Sequence, residues 1–301
     1  MELRQLNTFR MVAELGSFTR SAAALDYVQS TITAQIQALE EELGVTLFDR
    51  LGKGIQLTDA GQRLLVYAEK MLQLADEARS VIAQREVPTG MIQISAPETL
   101  CIYRLPRVLS EFRRRWPQVQ VVFRPCRVAD LHREVSDGRL DVAFQLAEPT
   151  VSGDVISEAL LIEPLALVAP ADHRLAGLKE VVTTDLAHEP ILLTELGCSY
   201  RNLFEHALIR AGVYPVSHLQ FNSIEAIKQC VINGMGIAIL PRIVVAAELE
   251  SGRLVALQWT EANFQISTQM WWSRERWQSP ALTLFLALAR EMLYETTDSK
   301  T

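Results

Sequence analysis

The sequence is poor in the residues that metal and covalent chemistry require. Its four cysteines, Cys101, Cys126, Cys198 and Cys230, and its five histidines, His132, His173, His188, His206 and His218, fall at no metal-ligand spacing. No phosphate-cradling glycine loop is present and no carboxylate or nucleophile motif stands out, so an enzyme is disfavoured. Long apolar runs are missing too. Uncharged stretches such as Gln229 to Pro241, interrupted by Gly234 and Gly236, fall short of the ~20 residues a membrane span needs. Met1-Glu2-Leu3-Arg4 leads into helical sequence without an apolar signal core, and the expectation is a cytoplasmic protein with no membrane partner. An excess of positive charge is also lacking: the net charge of −7 argues against coating nucleic acid by bulk electrostatics. What remains is an ordinary composition, 49% hydrophobic over 301 residues, enough for two or three cored domains.

The most informative stretch is the first. Ile32, Ile36, Leu39 and Leu43 recur at steps of four, three and four and predict the buried stripe of a helix. Its opposite face and leading end carry Gln29, Ser30, Thr31, Thr33, Ala34 and Gln37, uncharged side chains suited to base edges and phosphates in a major groove. An earlier helix with Phe18, Ala22 and Leu25 on one face, and the small run Ala22-Ala23-Ala24, can pack closely across the turn Asp26-Tyr27-Val28. That is helix-turn-helix geometry. Helical spacing alone equally fits a three-helix bundle with no nucleic-acid partner. Leu3, Leu6, Phe9 and Ala13 mark the inner face of a first helix, and Gly44 ends the third. Leu47 to Arg50 and Ile55 to Leu57 flank Gly52-Lys53-Gly54 and predict a hairpin bearing Arg50 and Lys53. Residues 1–57 hold five basic against seven acidic side chains, a net of −2, so one such head binds weakly and affinity needs several heads on one site.

Leu6, Phe9, Val12-Ala13-Glu14, Gly16-Ser17-Phe18, Ala22-Ala23-Ala24-Leu25, Gln29-Ser30, Ile36, Leu39-Glu40, Leu43-Gly44, Leu47-Phe48, Arg50 and Leu57-Thr58-Asp59-Ala60-Gly61 together resemble the LysR-type transcriptional regulators. The resemblance implies a winged helix-turn-helix at 1–58, a linker and dimerisation helix at 59–89, and an effector-binding domain at 90–301. It assigns DNA contacts to Gln29, Ser30, Thr31, Thr33 and Ala34, and to Arg50 and Lys53 in the wing. It further implies double-stranded promoter DNA and a small-molecule effector as partners, a homodimer through the linker helix, a homotetramer as dimer of dimers, RNA polymerase as a contact, and no cofactor. Two positions depart from the family. Val28 stands where Ser is usual, leaving the helix cap to Ser30 or to a hydrophobic contact, and Ala34 stands where a basic or bulky polar residue is common.

Thr58 predicts the cap of a long helix running to about Ala83, and Leu64, Ala68, Met71, Ala75, Ala78 and Ile82 form a heptad seam. The seam fits pairing with a second copy, though it could also lie on the chain's own core. Glu86 to Gly90 breaks the helix. From Met91 onward the pattern becomes α/β, with strands expected at 92–94, 119–123, 142–144, 165–168, 191–193, 237–240 and 265–272, mostly parallel. Helices are expected around Leu105 to Phe112, Leu131 to Val135, Leu203 to Arg210, Ile224 to Ile232 and Ala281 to Leu293. By resemblance this is a two-lobed, type 2 periplasmic-binding-protein-like domain, with lobe 1 at about 90–163 and 268–301 and lobe 2 at about 164–267.

Ligands in open α/β sheets settle beyond strand carboxyl ends. Ser95 and Thr99 follow one such strand, Cys198, Ser199 and Arg201 follow another, and Asn222-Ser223 precede a later helix. These are the candidate effector contacts, and a small anion held by amides, hydroxyls and Arg201 is the expected ligand. Each has an alternative role: Ser, Thr and Asn before helices are ordinary caps, Arg201 can pair with a surface acid, and Glu98 suits a first helical turn. Cys101 and Cys198, near the two halves of the cleft in sequence, leave open a thiol- or metal-responsive regulator. A cytoplasmic solute-binding protein or an enzyme is the remaining alternative.

Overall fold

The computed structural model describes residues 1–51, 54–83, 88–124, 127–148, 153–214, 217–261 and 264–298. Two compact units follow each other along the chain, Met1–Glu86 and Val87–Thr301.

The first unit opens with α1 (Leu3–Leu15), α2 (Phe18–Ala24) and α3 (Gln29–Leu43). Ser17 starts α2 by accepting from the Arg20 amide, and Gly44 closes α3 in the left-handed region at φ 68°. Ile32, Ile36 and Leu39 are buried as their spacing requires, together with Leu6, Phe9, Val12 and Ala22. Two positions of the expected stripes differ. Leu43 and Leu3 are exposed, because each sits in a terminal turn beyond the reach of the neighbouring helices, and Val12 takes the inner place in α1. Strands β1 (Phe48–Leu51) and β2 (Gly54–Leu57) pair antiparallel, Phe48 opposite Leu57.

Helix α4 (Asp59–Ala83) starts where the Thr58 hydroxyl accepts the Gly61 amide at 3.0 Å. Its apolar seam divides. Ala68 is buried in the head's core with Leu64, Leu65 and Leu72 packed on the same cluster, whereas Met71 and Ala78 are exposed. Tyr67 and Leu74 are exposed as well, at 59% and 65%, so Tyr67, Met71, Leu74 and Ala78 form an outward stripe at steps of four, three and four. The side chain of Ile82 and the linker residues Glu86 and Val87 lie outside the described residues.

The described residues of the second unit form two larger sheets and a two-stranded parallel pair. One has the order β4-β3-β5-β12-β6, built from β3 (Gly90–Ser95), β4 (Val119–Phe123), β5 (Val142–Ala147), β6 (Val155–Ile162) and β12 (Ser267–Ser273). Helices α5 (Glu98–Tyr103), α6 (Leu105–Arg115), α7 (Leu131–Ser136) and α11 (Pro280–Asp298) belong to it, Phe112, Phe144 and Phe285 stacking edge to face in its core. The other has the order β10-β7-β11, from β7 (Leu165–Pro170), β10 (Ala238–Pro241) and β11 (Leu254–Ala256). A parallel pair, β8 (Pro190–Leu193) and β9 (Ser217–Gln220), joins it through the Ile191–Ile237 bridge. Helices α8 (Ser199–Arg210), α9 (Ile224–Ile232) and α10 (Arg242–Glu250) complete this second lobe.

Neither sheet is mostly parallel: the five-stranded one is mixed and the three-stranded one antiparallel. β3 runs parallel to β4 and β5, but β12 is antiparallel to both its neighbours, and β7 to both of its own. The reason is connectivity: β6 and β12 are a chain leaving one lobe and returning to it. The chain crosses between Ile162 and Leu165, where the Glu163 amide donates to the Ile266 carbonyl at 2.8 Å. Arg104 grips the buried Glu163 carboxylate with two 2.7 Å hydrogen bonds, and the Thr268 hydroxyl adds a third at 2.8 Å.

Candidate functional site

In the first unit, Gln29, Ser30, Ala34 and Gln37 are exposed on the face of α3 opposite its buried stripe, and Thr31 and Thr33 are half-buried beside them. Two hydroxyls hold the ridge: Thr19 donates to the Gln29 side chain at 3.3 Å, and Thr33 back-bonds to the Gln29 carbonyl at 3.0 Å. Below it, the Thr8 hydroxyl donates to Gln35 at 2.6 Å and locks α1 to α3. Neither of the expected substitutes for the missing Ser cap forms. Val28 occupies the N-cap position at 66% exposure, and no side chain caps α3. The helix therefore presents its first amides and positive dipole end outward, where a phosphate oxygen is a suitable acceptor. Tyr27, exposed next to Val28 at the same end, was not singled out by sequence; its place in the turn was the available signal. Glu40 is drawn away from the ridge, accepting the Leu47 amide at 2.7 Å. Among the wing residues, Lys53 and the side chain of Arg50 lie outside the described residues.

In the second unit a cleft of about 140 Å³ opens between the lobes. Ser95, Thr99, Cys198, Ser199 and Asn222 line it together, from β3, α5, the start of α8 and the approach to α9. Gly197, at φ 92°, makes the turn that points α8 at the cleft, a conformation side chains with Cβ avoid. Two expected residues are not in the lining. Arg201 is 5% exposed and turned inward, donating to the Thr194 carbonyl, to Gln220 at 3.1 Å and to Glu205 at 3.0 Å. Ser223 is used as the cap of α9, accepting the Ala226 amide and donating to Glu98 at 3.1 Å. Sequence reasoning gives Glu98 a helical role, carries Glu195 and Tyr200 only as neighbours in the stretch from Thr194 to Arg201, and leaves Gln145 out, yet all four line the cleft. Gln145 had a signal, being the one polar residue within the apolar run Val142 to Ala147.

With Arg201 withdrawn, the described lining contains Glu98 and Glu195 and neither Lys nor Arg. The expectation of an anionic ligand loses its basic partner. The thiol alternative also weakens. Burial pushes the Cys198 thiol up, and burial followed by the Glu98 charge does the same to Cys101, so both disfavour the reactive thiolate. Cys101 is not part of the lining, and Cys126 lies outside the described residues. Among the described residues no group of three or more His, Cys, Asp or Glu could hold a metal ion, and no helix is long and apolar enough to cross a membrane.

Around the cleft the lobes are stitched by polar contacts. The Ile224 amide donates to Glu98 at 2.7 Å across the opening. Tyr103 donates to Glu225, and the buried Lys228 ammonium donates to Tyr103 at 3.3 Å and to the Val244 carbonyl at 3.3 Å.

Known proteins share both units. Residues 3–62 match the family described as bacterial regulatory helix-turn-helix protein, lysR family, and residues 85–293 match the LysR substrate binding domain. The chain is 41% identical over 292 residues to the uncharacterized HTH-type transcriptional regulator YwqM of Bacillus subtilis, covering 97% of this chain and 99% of that protein. In fold it is similar to a full-length OxyR variant from Pseudomonas aeruginosa, with TM-score 0.74, 24% identity, and coverage of 97% and 94% of the two chains. It is likewise similar to full-length CbnR in complex with its target DNA, with TM-score 0.68, 24% identity, and coverage of 97% and 100%. An exposed uncharged ridge on a helix-turn-helix, joined in one chain to a two-lobed α/β domain with a cleft, thus has relatives along 97% of the chain, and the protein belongs to the LysR family of DNA-binding transcriptional regulators.

Proposed function

We propose that the protein reads promoter DNA as a symmetric homodimer, or as a dimer of dimers, and that a small effector in the interlobe cleft changes how its heads are spaced on that DNA. The observation that carries this reading is the ridge of Gln29, Ser30, Ala34 and Gln37, exposed and uncharged on a helix whose other face is locked into the head's core. Tyr67, Met71, Leu74 and Ala78 on α4 supply the pairing surface, an apolar heptad stripe that water would otherwise cover. Pairing is also what the charge demands, since a head of net −2 gains little from phosphate attraction alone. Arg50 and Lys53 add phosphate contacts in the wing, RNA polymerase is the further partner, and the protein acts in the cytoplasm. The cleft is suited to ligand control because residues from both lobes meet there, so a ligand touching both favours the closed arrangement over the open one. Footprinting on the DNA flanking the protein's own gene, with and without a metabolite library, tests the reading: a protected site whose extent changes with one metabolite supports it, and an unchanged footprint with every compound removes the effector.

A further inference from the structure

We propose that the cleft takes a small organic cation, an amine held by the Glu195 carboxylate and the Gln145 amide. This deepens the effector reading above and rests on it. The charge argument comes first. Glu98 and Glu195 bring two full negative charges to the lining, and no described lining residue is basic. The N-termini of α5, α8 and α9 oppose them with about half a positive charge each, so the cleft is left net negative by about half a charge. Glu98 already satisfies the end of α9 through Ile224 and Ser223, which closes that helix end to a ligand carboxylate. Glu195 lies just ahead of α8, half-exposed to the cleft, and offsets the dipole there.

The second observation is independent of charge. Gln145 is 9% exposed, lines the cleft, and its Oε1 is buried without a hydrogen-bond partner. An orphaned buried carbonyl costs stability until a donor reaches it, and an ammonium carries three donors and no acceptor. Size sets the rest. At about 10–15 Å³ per water-sized site, 140 Å³ admits a ligand of about ten heavy atoms. Phe144, Leu146 and Ile224 provide apolar wall for its carbon skeleton.

The test is thermal denaturation of the full-length chain with straight-chain diamines, diols and dicarboxylates of matched carbon length, beginning with putrescine, butanediol and succinate. The expected result is a rise of several degrees in Tm with a diamine, none with the diol or dicarboxylate, and loss of the rise in Glu195→Gln and in Gln145→Leu. A dicarboxylate that stabilises, or diamines that act no better than diols, overturns the inference. So does an equal rise in the parent and in Glu195→Gln, which would mean only screening of the net −7 charge. The footprinting of the previous subsection separates the two readings: a carboxylate that changes the footprint removes the cation alone, and no responsive compound removes the effector itself.

Discussion

At the scale of single residues, each prediction follows from a side chain's exposure and partners. Gln37 is exposed on the α3 ridge with no role in the head's core, so Gln37→Ala should leave Tm unchanged and weaken binding to the protein's own promoter by about 1–3 kcal/mol for each base that Gln37 reads, measured by fluorescence anisotropy. Arg104 is the counter-charge of Glu163, itself 2% exposed, and Arg104→Met leaves that buried carboxylate without its cation, with the Thr268 hydroxyl still donating to it. The expected cost is about 3–5 kcal/mol in urea denaturation. Burial pushes the Glu225 carboxyl up, but the hydrogen bonds from Lys228 and Tyr103 outweigh it and hold the group below its ordinary 4.5. A depressed carboxylate stabilises the fold above its unfolded value and loses that contribution as pH falls through the folded one. The Tm difference between the parent and Glu225→Gln should therefore be full near neutral pH and shrink below pH 4.5. Arg201 shows why residue roles were less legible than residue positions. Its place at the start of α8 was readable, whereas its partners, the Thr194 carbonyl and Gln220, are set by the β8–β9 pairing, which sequence spacing does not display.

At the scale of elements, legibility tracked apolar periodicity. β4 spans the expected 119–123 as a short, mostly apolar run, and α9 the expected 224–232 because Ile224, Ile227 and Val231 recur at steps of three and four. β6, β9, β11 and α10 were not foreseen. β6 is an edge strand carrying Ser157 and Glu158, the latter bound to Arg290 of α11, and β9 is largely polar, so neither shows a buried strand's pattern. The seam of α4 was legible as a heptad but not its division, since only the folded head shows that Leu64 and Ala68 are already covered. Gly61 makes that covering possible. A Cβ there would come within 2.2 Å of the Leu47 carbonyl oxygen, so Gly61→Ala must push α4 from the wing, at a cost of about 1–3 kcal/mol in thermal or urea unfolding.

At the scale of the whole molecule, the proposed pairing joins an acidic head to an exposed heptad stripe. Leu74→Glu should leave the fold intact, since the side chain is 65% exposed, while converting the protein to a smaller species by light scattering and lowering promoter affinity by roughly a hundredfold or more. The decisive titration compares the full-length protein on DNA flanking its own gene with a shuffled duplex of equal length, at physiological salt. The proposed dimer, which would duplicate the α3 ridge by symmetry, requires protection of paired half-sites on the native sequence and clear preference over the shuffled one. Equal affinity for both duplexes, with and without metabolites, would contradict it.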